Sequence, residues 1–163
     1  MDANAPQFLV ALEASGLGLA IRQSPWVYPA ANVGHVVSVV LYAGAVATLD
    51  LMLLGVVRGD DRVASLKRAR SWAMALFVAV ALTGLVLFIA EASHVALNRV
   101  FQLKLVLIVG ALVNAAVLGA RAIRAAEALP DDASLPPSVR GAAYVSLALW
   151  IGVVALGRFI AYV

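Results

Sequence analysis

Cysteine is absent from this 163-residue chain, and histidine occurs only twice. Without thiols there is no disulfide framework, thiolate metal site, cysteine nucleophile or c-type haem attachment. Charged residues are also scarce, at 13% of the chain, whereas soluble domains carry about 25%. The P-loop, HExxH, GxSxG and GxGxxG motifs are missing, so no catalytic residue is assigned and an enzymatic function is not favoured.

Apolar residues are abundant, at 64% of the chain, and too few polar residues remain to cover a water-soluble fold of this size. Four apolar blocks reach the roughly 20 residues that a helix needs to cross a bilayer. We predict an all-α polytopic membrane protein, a four-transmembrane-helix bundle that forms a single domain over residues 1–163 and has the lipid bilayer as its partner. The predicted spans are residues 29–57, 72–92, 101–120 and 141–162.

The basic residues indicate on which side of the membrane each connection lies. Loops 58–71 and 121–140 are rich in arginine and lysine near the spans, whereas the connection between the second and third spans has few. Because positively charged loops stay in the cytoplasm, we predict both of these loops inside and both termini outside, on the periplasmic side of a bacterial inner membrane. The basic residues form no continuous stripe, which argues against a nucleic-acid partner.

The segment before the first span predicts a short helix on the outer membrane surface over residues 7–24. Its apolar residues recur at helical spacing, at Phe8, Leu12 and Leu19. The segment carries Asp2 and Glu13 where a signal peptide would carry lysine or arginine, so we expect it to remain on the mature protein. Aromatic residues near the ends of the predicted spans are typical of the belt that proteins form at the membrane interface. They are Trp26, Tyr28, Trp72 and Tyr162.

Polar side chains within the apolar blocks are candidate functional residues, because each must find a partner inside the bundle. At 100° per residue, a polar arc of roughly 120° on the first span contains Asn32, His35, Ser38, Tyr42 and Asp50. A comparable arc on the third span contains Lys104, Ala111, Asn114 and Arg121. We predict that these two faces line the interior.

The two histidines point to cofactor chemistry. Neutral imidazoles on neighbouring helices can clamp a haem iron, and both His35 and His94 are predicted toward the outer side. At 1.5 Å per residue, His35 lies roughly 8 Å below the outer boundary and His94 about at it, so a bis-histidine haem is disfavoured. The structural alternative is an interhelical hydrogen bond for His35 and a surface position for His94.

A second arrangement joins His35 with Lys104, Glu91 and Arg158 in the outer half of the bundle. There a single histidine could ligate a haem while a basic residue pairs with the propionates, or the cluster could bind an anionic or quinone-like ligand. The same groups could equally form a structural ion-pair network. Asp50, near the inner end of the first span, is expected to pair with an arginine of the inside loops.

Short motifs along the chain suggest a family likeness. They are Asn32-x-x-His35, LDLMLLG from Leu49 to Gly55, TG-x-x-LF from Thr83 to Phe88, and F-x-x-K from Phe101 to Lys104. On these motifs the chain resembles uncharacterised bacterial four-helix membrane families and, more distantly, the copper-resistance D-type and J-type protoporphyrinogen oxidase membrane proteins. In the J-type oxidase a histidine on an early helix and a later lysine are implicated in haem binding, so the resemblance implies those roles for His35 and Lys104.

The leading hypothesis is a membrane protein that binds haem b or a quinone-like ligand in the outer half of the bundle for electron transfer. His35 would be the axial ligand of the haem iron and Lys104 a charge partner, and Asn32, Tyr42 and His94 complete the candidate cofactor-binding residues. The alternative is a cofactor-free accessory subunit of a larger membrane complex, or a homo-oligomer, whose polar faces serve helix association. A transporter is least favoured, since no inverted repeat is evident.

Overall fold

The computed structural model of this chain describes residues 5–159, and within that range every regular element is an α-helix. The helices are α1 (Gln7–Glu13), α2 (Gly16–Gln23), α3 (Val27–Leu53), α4 (Arg62–Ala90), α5 (Ala92–Leu97), α6 (Arg99–Ala128) and α7 (Pro137–Phe159). The four long helices α3, α4, α6 and α7 correspond to the four predicted spans.

The surface of the long helices explains why the chain needs a membrane. Each is long and apolar enough to cross a bilayer, with a mean hydropathy between 1.8 and 2.7. Only 6% to 22% of the residues in their apolar windows are buried within the chain, so most apolar side chains face outward. Water would solvate this surface unfavourably, whereas lipid tails are as apolar as the side chains. The expected all-α bundle of four membrane spans is therefore confirmed, and the protein is an integral membrane protein.

The four spans pack as a ring. α3 contacts α4 and α7, and α6 contacts the same two helices from the other side. Successive spans run in opposite directions because short connections join them. One cluster of buried apolar side chains surrounds Leu66 at one end of the bundle, and another surrounds Tyr42 between α3 and α4. The amide of Asn114 donates to the carbonyl of Ala142 at 3.1 Å, which confirms that this residue hydrogen-bonds a neighbouring helix.

The first span ends at Leu53, earlier than predicted, because the chain turns at Gly55. This glycine has a φ of 79°, a backbone conformation that residues with a Cβ rarely adopt. Its N–H donates to the carbonyl of Met52, and the N–H of Val56 donates to that of Leu51. Both bonds satisfy carbonyl groups that the helix leaves unpaired, so α3 has a Schellman-type end.

The second and third spans continue beyond their predicted limits at this same end of the bundle. α4 begins at Arg62, well before the predicted span, and Asp61 caps it by accepting from the N–H of Ala64 at 2.9 Å. α6 continues to Ala128, well past its predicted end. Much of the two basic segments that were predicted as loops is therefore helical, because a charged helix can project from the membrane without breaking.

The last span begins at Pro137, a position that suits proline because the first helical N–H needs no partner. Its predicted end at Tyr162 lies outside the described residues, as does this member of the predicted aromatic belt. The other aromatic residues named for the belt include Trp26 and Trp72, which are 80% and 63% exposed. Both indole side chains are therefore free to contact the membrane interface.

Arg62 joins the start of α4 to the end of α6. Its guanidinium donates to the carbonyl groups of Ala126, Leu129 and Ala133 at 3.1, 3.0 and 2.7 Å. Carbonyl groups at a helix end lack helical partners, and a cation there is also favoured by the helix dipole. The carboxylate of Asp131 lies 3.9 Å from the Nε atom of the same side chain. These contacts hold the α6–α7 connection against α4.

The N-terminal segment forms two short helices where the sequence predicts one over residues 7–24. The break follows α1, and the hydroxyl of Ser15 then caps α2 by accepting from the N–H of Gly18 at 3.1 Å. Glycine is required at position 18, because a Cβ there would lie 2.5 Å from the carbonyl oxygen of Glu13. α1 and α2 together fold back onto α4 and α5 at the end of the bundle.

A buried carboxylate holds this segment in place. Glu13 is 4% exposed and accepts hydrogen bonds from the hydroxyl and the N–H of Ser93 and from Arg22, whose guanidinium lies at 2.9 Å. Arg22 also donates to the carbonyl of Ala90 at 3.3 Å. We call Glu13, Arg22 and Ser93 the N-terminal clip. The hydrogen bond from the Ser93 hydroxyl outweighs burial and lowers the pKa of Glu13 below its ordinary value of 4.5.

Acid is expected to open the N-terminal clip. Because the pKa of Glu13 is lowered by folding, its stabilisation is complete above pH 4.5 and is lost as the pH falls through the lowered pKa. Amide hydrogen exchange of α1 and α2 in detergent micelles, followed from neutral pH to about pH 3, should show falling protection factors only at the acid end.

The variant Glu13→Gln should lower the protection of α1 and α2 by roughly 2 kcal/mol at neutral pH and remove the acid transition. Glu127→Gln is the matched control, because that exposed carboxylate pairs with Lys67 at the opposite end of the bundle. An acid transition that persists in Glu13→Gln would show that another group controls this segment.

Candidate functional site

His35 and Thr83 form a polar contact between α3 and α4. Nδ1 of His35 lies 3.0 Å from Oγ1 of Thr83. The threonine hydroxyl has a single proton, which it donates to the carbonyl of Ala79 within its own helix at 2.7 Å. When that proton is directed to Ala79, the oxygen accepts from an Nδ1–H of His35, and in this tautomer Nε2 has a lone pair for another partner. The backbone of Val80 is a further hydrogen-bonding group beside the imidazole.

Two glycines bring α3 and α4 close together around this contact. A Cβ on Gly84 would lie 3.1 Å from Cε1 of His35, which is tighter than ordinary van der Waals contact. A Cβ on Gly34 would lie 3.7 Å from Cγ2 of Thr83, at an ordinary distance. Small residues allow such close approach of helices in membranes. The half-buried imidazole is thus held by a hydrogen bond and by packing against the Gly84 backbone.

Lys104 brings a positive charge to the same region from α6. Its ammonium interacts electrostatically with His35, and it is partly buried. The side chain passes over Gly157 on α7, where a Cβ would lie 3.6 Å from Nζ. None of the ion pairs among the described residues involves Lys104. Lys104 therefore lies within electrostatic range of His35, and no carboxylate of the described residues forms an ion pair with it.

Tyr42 belongs to an aromatic cluster and does not reach the imidazole. It is buried, and its ring packs edge-on against Trp150 at 4.7 Å and tilted against Phe77 at 5.6 Å between centroids. It lies seven residues after His35 on α3, which is roughly 10 Å along the helix. Its place in the predicted interior face agrees with its burial, but its contacts are those of a packing residue.

Neither Asn32 nor His94 lies beside His35 in the interior. Both are exposed, Asn32 on α3 and His94 on α5. Thr83 marks the level of His35, and α4 continues to Ala90 before α5 begins, so His94 lies at least roughly 10 Å further along the bundle. This separation along the bundle argues against a haem iron bound by both imidazoles. The surface position that was the alternative for His94 agrees with its exposure.

The other members of the predicted outer cluster are engaged elsewhere. Glu91 accepts a hydrogen bond from the hydroxyl of Tyr28 at 3.0 Å, which joins the start of α3 to the end of α4. Arg158 is exposed in the last turn of α7. Glu91 is therefore joined to Tyr28 at this end of the bundle.

Asp50 does not pair with an arginine of the inside segments, so this prediction is wrong. Its carboxyl is 3% exposed, and Oδ2 has no hydrogen-bond partner. The hydroxyl of Ser146 on α7 is the polar group close to it. The arginines follow the turn after α3 or lie on other helices, and Arg70, for example, packs against Gly119 on α6. Asp50 therefore contributes to the contact between α3 and α7.

The residues present suit a ligand that needs one imidazole. A metal-binding histidine is usually oriented by a hydrogen bond from its other nitrogen, which is the arrangement of His35 with Thr83. No group of three or more His, Cys, Asp or Glu that could hold a bare metal ion occurs within residues 5–159. The described residues of this region therefore offer one imidazole and one cation, and they form no cluster for a bare metal ion.

The sequence predicted His35 and Lys104 as candidate site residues, but it did not predict that Thr83 and Gly84 contact His35. Both residues stand at the start of the TG-x-x-LF motif, which was noted only for its family likeness. A threonine next to a glycine inside an apolar span is the signal that could have found them, because it supplies a hydrogen-bonding group beside a point of close helix approach.

Comparison of this chain with family models, with characterised proteins and with solved structures finds no match. The likeness to the copper-resistance D-type and J-type oxidase proteins therefore depends on the short motifs alone. Its implications for His35 and Lys104 stay predictions.

Replacing Gly84 by alanine should disturb His35, whereas replacing Gly34 should not. Both changes gain about 1 kcal/mol of helix propensity, but only the Cβ at position 84 meets the imidazole too closely. Overpacking costs typically about 1–3 kcal/mol, so Gly84→Ala should be less stable than Gly34→Ala by at least about 1 kcal/mol in thermal unfolding. The imidazole ¹⁵N shifts of His35 should change only in Gly84→Ala. Equal stability of the two variants would contradict the close contact.

Proposed function

We propose that this membrane protein binds haem b through Nε2 of His35 and takes part in electron transfer. The observation that carries the proposal is the 3.0 Å contact between Nδ1 of His35 and the hydroxyl of Thr83, which orients the imidazole. In the tautomer with the hydrogen on Nδ1, Nε2 keeps its lone pair for the iron. In this role His35 would ligate the iron, Thr83 would fix the ring, and Lys104 would pair with a propionate. When bound, haem b supplies one-electron redox chemistry.

Visible spectra of the purified protein, oxidised and dithionite-reduced, test this proposal. Wild-type protein expressed with ample haem should show Soret and α bands that respond to reduction. His35→Ala should lose these bands, and the matched variant His94→Ala should keep them, because His94 is exposed and distant. Thr83→Val should weaken haem retention by roughly 10–100-fold, as expected for loss of an orienting hydrogen bond.

A colourless wild-type protein, or equal spectra in His35→Ala and His94→Ala, would overturn the haem assignment. A quinone-like ligand is the second candidate at the same pair, because Lys104 can donate to a carbonyl oxygen of the quinone, and Nε2 can accept from a hydroxyl of the reduced quinol. Binding of a quinone to colourless protein, lost in both His35→Ala and Lys104→Met, would support that candidate.

A cofactor-free accessory subunit or homo-oligomer is favoured by a different observation. Asn32 is exposed on α3, within the predicted first span. A polar amide is more stable against another helix than against lipid, so this turn of α3 is a candidate contact with a further membrane subunit. This function would give a colourless protein that co-purifies with such a subunit.

The orientation that we propose places both termini outside and the basic segments in the cytoplasm of a bacterial cell. The support for it is the concentration of arginine and lysine at the end of the bundle that contains the start of α4 and the α6–α7 connection. The site at His35 would then lie in the outer half of the membrane.

Single-cysteine labelling can test this orientation cleanly, because the natural chain contains no cysteine. A membrane-impermeant maleimide applied to intact cells should label His94→Cys on α5 but not Asp60→Cys in the α3–α4 connection. Both positions are exposed, so the contrast depends on the side of the membrane alone. Labelling of Asp60→Cys and not His94→Cys would reverse the proposed orientation.

A further inference from the structure

A cavity of about 400 Å³ lies at the end of the bundle opposite the N-terminal clip. It is bounded by the end of α3 and the turn that follows, by the start of α4, and by the α6–α7 connection. Its volume falls within the roughly 300–1,000 Å³ that is typical of small-molecule sites. The haem proposal makes no use of this cavity.

The charges around the cavity favour an anion. Three arginines and two aspartates line it: Arg58, Arg62, Arg140, Asp131 and Asp132. The carboxylate of Asp131 lies 3.9 Å from Nε of Arg62, so the opposite charges of these two residues offset each other. Arg58 and Arg140 are exposed, and neither makes a side-chain hydrogen bond within the described part of the chain. With three positive and two negative residues, the lining is net positive.

The rest of the lining contains two serines and a group of aliphatic side chains. The aliphatic side chains come from the end of α3, from α4 and from the α6–α7 connection, and include Met52, Leu53, Leu54, Leu66 and Leu135. A small inorganic anion would leave this surface unused. An amphiphile could place its anionic group at the arginines and its hydrocarbon against the leucines, so that both parts of the lining are satisfied.

The position of the cavity along the bundle agrees with a lipid ligand. Tyr42 on α3 packs against Phe77 on α4, which sets the level of the two antiparallel helices. Leu53 lies eleven residues beyond Tyr42 on α3, whereas Trp72 lies only five residues from Phe77 in the same direction on α4. At 1.5 Å per residue, the end of α3 therefore lies roughly 9 Å beyond Trp72, the tryptophan expected at the membrane interface. This is the region of the lipid headgroups, just outside the hydrocarbon.

We propose that this cavity binds the phosphate headgroup of an anionic phospholipid, with Arg58 and Arg140 as its charge partners and the α3 leucines against its glycerol backbone and the adjoining acyl carbons. Arg62 contributes positive potential but keeps its place on the α6 carbonyl groups. The guanidinium groups of Arg58 and Arg140 are suited to bidentate contact with phosphate. This proposal is independent of any cofactor at His35.

Native mass spectrometry of the whole protein, purified through lipid-free detergent, tests the proposal. Wild-type protein should retain one molecule of added phosphatidylglycerol in preference to phosphatidylcholine. The double variant Arg58→Gln/Arg140→Gln should bind phosphatidylglycerol about thirtyfold more weakly, since each cation near the headgroup contributes roughly one factor of five. The matched control Arg68→Gln/Arg124→Gln removes two exposed arginines outside the cavity and should bind like wild type.

Equal affinity for the two lipids, or equal losses in the two double variants, would overturn the proposal. Inorganic phosphate and glycerol phosphate separate the lipid from its headgroup chemistry. If either binds the delipidated protein as tightly as phosphatidylglycerol does, the aliphatic lining contributes nothing and the lipid assignment is wrong. A circular dichroism spectrum of each variant checks that the bundle is still folded.

Discussion

The structure depends on one constraint: lipid cannot hydrogen-bond, so a polar group within the spans is stabilised by a partner in the chain or in a bound molecule. Apolar contacts do not decide which helices pair, because lipid solvates apolar side chains as well as a neighbouring helix does. Each of the four helix contacts in the ring accordingly contains a polar interaction. These are His35 with Thr83, Asp50 with Ser146, Asn114 with the carbonyl of Ala142, and Arg62 with the end of α6.

Hydropathy and charge predicted the number of spans because both are properties of a continuous stretch of sequence. They could not predict where each helix ends. α3 stops at a glycine with positive φ, which depends on backbone hydrogen bonds, and α4 starts early because Asp61 caps it. The ion pair expected for Asp50 failed for a related reason. Charge counting showed that arginines are plentiful nearby, but only the packing shows that Ser146 on α7 faces the carboxyl.

The candidate site was predictable in part. The helical wheel placed His35 and Lys104 toward the interior, and in the structure both are partly buried and lie within electrostatic range of each other. The orientation of the imidazole depends on the register between α3 and α4, which sets Thr83 beside Nδ1 and Gly84 beside Cε1. A single sequence carries no signal for register. The exposure of His94 likewise follows from the short helix α5, which begins a separate turn after α4.

Charges at the two ends of the bundle are matched to helix termini. Glu13 accepts the N–H of Ser93 near the start of α5, where a carboxylate is favoured, and Arg62 binds carbonyl groups at the end of α6, where a cation is favoured. These charges are satisfied by groups of the chain itself. Lys104 differs, because it lies within a span and no ion pair of the described residues includes it. A partly buried cation in a membrane is costly unless something compensates it, and an anionic group bound beside His35 would supply that compensation.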